Sequence, residues 1–127
     1  MTTVLYIEDN PLNMRLVQKY LKKVGLTMIE AIDGSSGIEV ATEQRPDLIL
    51  VDINLPDIDG LKVTRNLKAN PDMTNTPIVA LTANAMHGDR ERCLDAGCDA
   101  YLAKPIARQE LYNTLRNYIP EAFAAAG

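Results

Sequence analysis

At 127 residues, with 46% hydrophobic and 24% charged side chains, the chain has the size and composition of one soluble globular domain with its own core. Its 13 basic and 17 acidic side chains leave a formal net charge of -4, which works against nucleic-acid binding, where Lys and Arg must neutralise phosphates. No apolar run approaches the roughly 18 residues needed to cross a membrane, and Met1-Thr2-Thr3-Val4 carries no basic leader, so a cytoplasmic protein without membrane contact is expected.

Apolar runs and helical periodicities alternate along the chain. Val4-Leu5-Tyr6-Ile7 is a short β-branched and aromatic run, stopped by Glu8-Asp9-Asn10-Pro11. Leu12, Leu16, Val17, Tyr20, Leu21 and Val24 recur at helical spacing, with Gly25 as the C-cap. Thr27-Met28-Ile29-Glu30-Ala31 reads as a strand, Asp33-Gly34-Ser35-Ser36 as a turn and N-cap, and Ile38, Val40 and Ala41 begin a second helix. Asp47-Leu48-Ile49-Leu50-Val51 is a continuous apolar run ending at Asp52, and its lack of polar alternation marks a central parallel strand. A loop, Leu55-Pro56-Asp57-Ile58-Asp59-Gly60, leads into a helix through Leu61, Val63, Thr64 and Leu67, which Asn70-Pro71-Asp72 breaks. Pro77-Ile78-Val79-Ala80-Leu81 is another apolar strand, ending at Thr82. A helix is predicted from there up to Gly97, then a short strand around Ala100-Tyr101-Leu102, a Lys104-Pro105 turn and a last helix marked by Leu111, Leu115 and Tyr118. Pro120 ends that helix, giving one domain over 1–120 and a flexible tail over 121–127.

Cys93 and Cys98 fall in one predicted helical stretch. Their separation of five sets them on different faces, poorly placed for a disulfide. Without CxxC spacing or a His cluster they read as reduced, partly buried core residues, not as zinc ligands. His87, early in the same stretch, reads as an exposed surface residue.

Roughly five βα units in succession, with right-handed crossovers, make an α/β doubly wound parallel sheet with helices on both faces. In such sheets, polar groups at the carboxyl ends of the strands gather at the point where strand order reverses. The residues there are Glu8 and Asp9, Asp52, Thr82 and Lys104. Each alone has an ordinary origin: Asp9 as a helix cap, Asp52 as a loop acid, Thr82 as a β-branched strand residue, Lys104 as a solvated loop lysine. Their common position, each interrupting an apolar strand at the same end, is what joins them. Clustered carboxylates repel one another, and a hard divalent cation with oxygen ligands relieves that repulsion. A carboxylate also serves as nucleophile in phosphoryl transfer, where a cationic amine and a hydroxyl can stabilise the phosphoryl oxygens.

The stretches Ile7-Glu8-Asp9-Asn10, Asp47-Leu48-Ile49-Leu50-Val51-Asp52, Leu55-Pro56 with Gly60, Ala80-Leu81-Thr82-Ala83 and Ala103-Lys104-Pro105 together resemble the receiver domains of two-component signalling, from Val4 to about Pro120. The resemblance implies a flavodoxin-like sheet in the order 2-1-3-4-5. It implies Asp52 as phosphoacceptor, Mg2+ held by Glu8, Asp9, Asp52 and the Asn54 backbone carbonyl, and Thr82 and Lys104 on the phosphoryl group. Ala83 would be the small residue that leaves access, Lys104-Pro105 a cis peptide, and Thr82 with Tyr101 the switch pair. Asn10-Pro11-Leu12-Asn13-Met14, Ala83-Asn84-Ala85-Met86 and Ala96-Gly97-Cys98-Asp99 are similar to single-domain DivK-type regulators and to receivers attached to hybrid histidine kinases.

The implied function is that of a single-domain response regulator, phosphorylated by a sensor histidine kinase or phosphotransfer protein and acting on a downstream protein target. A phosphate sink and a receiver detached from a hybrid kinase are the alternatives. The chain is expected to catalyse only its own phosphorylation and dephosphorylation and to be a monomer or weak dimer. A phosphohydrolase with an aspartyl nucleophile needs a second acid two residues further on, where this chain has Asn54.

Overall fold

The computed structural model describes residues 2–83 and 88–121. Among these, β1 (Thr3–Ile7), β2 (Thr27–Ala31), β3 (Leu48–Asp52), β4 (Ile78–Thr82) and β5 (Ala100–Ala103) alternate with α1 (Pro11–Lys23), α2 (Gly34–Gln44), α3 (Gly60–Ala69), α4 (Asp89–Ala96) and α5 (Arg108–Tyr118). The strands pair in parallel in the order β2-β1-β3-β4-β5. This is the expected flavodoxin-like order, and it reverses between β1 and β3, opening a crevice at their carboxyl ends.

The two-residue period of the strands sorts the core into two layers. Leu5 and Ile7 of β1, with Ile49 and Val51 of β3, pack under α2, α3 and α4. Val4 and Tyr6, with Leu48 and Leu50, pack under α1 and α5. Strands β3 and β4 are buried throughout, as their unbroken apolar runs require, whereas the edge strands β2 and β5 are only partly covered. Met73, in the connection after α3, is fully buried, so that connection is part of the core and not a surface loop.

Polar side chains set the helix starts. Asn10 Oδ1 accepts from the N–H groups of Leu12 (2.8 Å) and Asn13 (3.3 Å), so Asn10 and not Asp9 caps α1. Asp33 Oδ1 accepts from Ser36 N–H at 2.8 Å and Asp59 Oδ1 from Leu61 N–H at 2.8 Å, capping α2 and α3. Val24 takes the C-cap of α1, and Gly25 follows it with φ of 79°.

One reading of the sequence changes, that of the cysteines. Helix α4 begins at Asp89, after Gly88 in the left-handed region; the predicted start nearer Thr82, with Asn84-Ala85-Met86 and His87, lies outside the described residues, as does the tail over 122–127. Cys93 and Cys98 do not share one helix. Gly97, with φ of 106°, ends α4, and the chain folds back so that Cys98 N–H donates to Cys93 O at 3.0 Å. This Schellman closure turns both thiols into one core layer, where both are buried and not joined in a disulfide rather than partly buried on separate faces. Linear helical spacing cannot anticipate it, because the left-handed glycine cancels the expected rotation.

Candidate functional site

The site is built on the carboxyl ends of β1, β3, β4 and β5. Glu8 follows β1 directly, its N–H donating to Ala31 O at 2.9 Å, and its side chain is 1% exposed. Asp52 is the last residue of β3 and is 3% exposed. The Lys104 Nζ ammonium bridges them, 2.8 Å from Glu8 Oε1 and 3.0 Å from Asp52 Oδ2. Lys104 reaches this position because β5 runs beside β4: Thr82 pairs with Ala103, and Lys104 N–H donates to Thr82 O at 2.8 Å. The Lys104-Pro105 peptide is cis, as the resemblance implies.

The loop after β3 is tied down around Asp52. Asn54 N–H donates to Asp52 Oδ1 at 3.1 Å, and Gly60 N–H donates to Ile53 O at 2.9 Å. Gly60 packs against Asp52 so closely that any Cβ there would collide with the Asp52 carbonyl oxygen and Ile53 Cα. Further along, the Asp57 carboxylate accepts from Gly34 N–H (2.7 Å) and Ser35 N–H (3.0 Å), fastening the loop to the start of α2.

Glu8, Asp9 and Asp52 each offer one carboxylate oxygen, all within 4.8 Å of one another. Two of these groups are buried and Asp9 is exposed, so the cluster is walled by protein and open to water on one side. This donor set fits magnesium, a hard cation that prefers carboxylate oxygens and keeps several waters. Asn54, two residues beyond Asp52, is exposed. Thr82 is fully buried at the end of β4 and Ala83 next to it is exposed. Tyr101, on β5, is half-buried, with the Arg90 guanidinium 6.0 Å from its ring centroid. Beside it a groove of about 410 Å³ runs between β5 and α5, lined by Tyr101, Leu102, Ala103, Glu110, Asn113 and Thr114.

The crowding of charge drives the two buried carboxyls apart in acidity. Burial and the hydrogen-bonded Glu8 carboxylate push Asp52 up to about 6, against the pull of Lys104 and Asn54 N–H. Burial also acts upward on Glu8, but hydrogen bonds from Asp52, Lys104 and Tyr6 outweigh it and hold Glu8 down to about 2. The two titrate as a pair, in which a first proton settles on the Asp52 side. Burial works to lower the Lys104 ammonium, and its bonds to Glu8 and Asp52 win, leaving it raised.

Every residue singled out at the strand ends is therefore found at this rim, with Tyr101 set apart at the groove. Two contacts were not anticipated: Tyr6 Oη donates to Glu8 Oε1 at 2.9 Å and Asn13 Nδ2 donates to it at 3.2 Å. Tyr6 had a sequence signal, a phenol in an aliphatic strand two residues before an acid and hence on its face. Asn13 had none beyond its place in the first turn of α1.

A reversed-order parallel sheet carrying three carboxylates, a lysine and a threonine on one rim defines a phosphorylation-responsive receiver of two-component signalling. The chain belongs to that family: residues 4–116 match the response regulator receiver domain. It is 41% identical over 120 residues to the polar-differentiation response regulator DivK of Brucella anthropi, covering 94% of this chain and 98% of that one. The receiver domain of the Pseudomonas aeruginosa sensor histidine kinase PA1611, solved with a magnesium ion coordinated in its active-site cleft, superposes with a TM-score of 0.87 at 42% identity, covering 94% of this chain and 98% of that one. The receiver domain of Saccharomyces cerevisiae Ssk1, solved with the histidine phosphotransfer protein Ypd1, gives 0.86 at 25% identity over 92% of this chain and 88% of that one. Among the described residues no helix is long and apolar enough to cross a membrane.

Proposed function

We propose that Asp52 accepts a phosphoryl group from the histidine of a sensor kinase or phosphotransfer protein, in a magnesium-dependent transfer that switches a protein-binding surface. The observation that carries this reading is the Lys104 ammonium bridging buried Glu8 and Asp52 in the β1/β3 crevice. The magnesium in the PA1611 receiver and the phosphotransfer partner of Ssk1 support it.

Asp52 attacks phosphorus, the bond from phosphorus to the donor imidazole nitrogen breaks, and that nitrogen keeps the electron pair and takes up a proton. Asn54 N–H holds Asp52 Oδ1, which fixes the carboxylate plane during attack. Glu8, Asp9, Asp52 and the Asn54 carbonyl would hold the ion, which when bound neutralises charge on the phosphoryl oxygens. Lys104 moves its charge onto one phosphoryl oxygen and the Thr82 hydroxyl donates to another; Ala83, exposed and small, leaves the approach open. Pro105 fixes the turn after Lys104. Movement of Thr82 towards the phosphoryl group makes room for the Tyr101 ring, and the groove between β5 and α5 changes shape for a downstream protein target. The chain transforms only itself, acts in the cytoplasm as a monomer or weak dimer, and has no nucleic-acid or membrane partner.

Incubation with acetyl phosphate and magnesium tests the assignment by intact-mass spectrometry. Wild type should gain the mass of one phosphoryl group and Asp52→Asn should not, since an amide is a poor nucleophile. Labelling of Asp52→Asn at the wild-type rate would show that the acceptor lies elsewhere.

A further inference from the structure

The two oxygens of Glu8 are treated unequally. Oε1 accepts three donors: Lys104 Nζ at 2.8 Å, Tyr6 Oη at 2.9 Å and Asn13 Nδ2 at 3.2 Å. Among the described residues Oε2 takes one long backbone contact, from Asn10 N–H at 3.4 Å. A carboxylate oxygen with three donors has no lone pair to spare, so Oε2 is the oxygen left to bind an ion.

Tyr6 is fully buried, its ring in the core layer under α1 and α5 and its hydroxyl on Glu8. A strand of Val4, Leu5 and Ile7 needs no hydroxyl for packing, and a buried phenol without a partner costs stability. Its hydroxyl comes from beneath the rim and Asn13 from the side, on α1, so two neutral donors from different elements fix one end of the carboxylate. These two persist if Lys104 swings towards a phosphoryl group.

We propose that Tyr6 is a positioning residue of the metal site: with Asn13 it holds Glu8 Oε1, so that the carboxylate offers a single oxygen, Oε2, and the site favours magnesium over calcium. The proposal rests on the reading that Glu8, Asp9 and Asp52 hold magnesium. Magnesium demands near-ideal octahedral geometry with short bonds, which one oxygen per carboxylate satisfies; calcium takes more ligands at longer distance and readily accepts both oxygens of one carboxylate. A Glu8 released from its donors can rotate and present both. The rival account, in which Tyr6 only fills the core, predicts no change on removing its hydroxyl, since phenylalanine keeps the ring.

Calorimetric titrations of wild type, Tyr6→Phe and Asn13→Ala with magnesium and, separately, calcium decide between them. Tyr6→Phe should weaken magnesium binding about three- to tenfold, less than the full worth of a hydrogen bond to a charged group because Asn13 and Lys104 still hold Glu8 Oε1. Calcium binding should change by less than about twofold, so the preference narrows, and Asn13→Ala should move it the same way. Should Tyr6→Phe not fold, as judged by circular dichroism, Asn13→Ala carries the test alone. A wild-type ratio of the two affinities in the folded variants, whether both ions bind as before or both weaken equally, would overturn the proposal. If wild type bound neither ion, the metal reading itself would fall, and this inference with it.

Discussion

Lys104→Met removes the ammonium and keeps the apolar stem, so it isolates what the charge does for Glu8 and Asp52. With the lysine gone, two carboxylates at 1% and 3% exposure face each other. A single pair of opposite charges about 4 Å apart is worth about 4 kcal/mol at an effective dielectric of 20. The loss has a ceiling, because the site can take up a proton instead; near pH 8 that costs about 5–6 kcal/mol for a carboxyl of ordinary acidity. Lys104 is itself largely buried, with 18% of its side chain exposed, and its removal recovers part of the cost of desolvating it. The net destabilisation should be about 2–4 kcal/mol near pH 8 in chelator, overlapping the lower end of the cost of breaking a buried ion pair. A carboxyl pair stripped of its cation holds a proton more tightly folded than unfolded. Stability is therefore lost as pH rises through that raised pKa, by up to about 1.4 kcal/mol per pH unit, and recovered towards pH 5. Urea unfolding near pH 5.5 and pH 8, in chelator and with excess magnesium, reads all of this. Magnesium should restore most of the loss near pH 8. If Lys104→Met matched wild type near pH 8 in chelator, or if magnesium left the variant unchanged, the ammonium would not be what neutralises the dyad.

Gly60→Ala should destabilise by about 1–3 kcal/mol and slow Asp52 labelling, because its Cβ strikes the Asp52 backbone, which has no flexible end to move; a urea melt and a labelling time course at wild-type stability would both contradict that if unchanged. Wild type in chelator should grow more stable by about 1 kcal/mol between pH 7 and pH 5, since Asp52, raised to about 6, binds a proton in the folded state that the unfolded chain releases. Glu8, lowered to about 2, contributes stability above its ordinary range that is lost only as pH falls through 2, so it does not oppose the trend. Calorimetric melting should show the rise in wild type, not in Asp52→Asn and not with magnesium; a rise of equal size in all three would assign it to another group.

The fold was legible because its signals are local and repeated. Unbroken apolar runs in β3 and β4 announce burial on both faces, and Asp33 caps α2 as its turn announces, whereas Asn10 and Asp59, the caps of α1 and α3, were not singled out. Topology then converts strand ends into a shared rim, which is why Glu8, Asp52, Thr82 and Lys104 could be grouped without a structure. The contacts that were not legible depend on three-dimensional approach. Cys93 and Cys98 meet only because Gly97 reverses the chain, and Asp57 reads as a loop acid until α2 is seen to present its first N–H groups to it. Asn13 reaches Glu8 only through the angle at which α1 leaves the sheet.

The electrostatics of the rim explain why a lysine that already bridges the dyad does not replace a divalent cation on the proposed assignment. With all groups ionised, three carboxylates against one ammonium leave two negative charges facing any phosphoryl donor. The same Lys104 is needed twice, by Glu8 and Asp52 at rest and by the phosphoryl oxygens in transfer. Bound divalent charge would remove the deficit and weaken the hold of both carboxylates on Lys104, which would free the ammonium to follow the phosphoryl group. By linkage the effect is reciprocal: whatever draws Lys104 away from Glu8 and Asp52 must tighten magnesium binding by the same factor. Tyr6 and Asn13 matter here because they keep Glu8 Oε1 satisfied when the lysine departs. The first acid of the site then stays in place while its cationic partner changes allegiance.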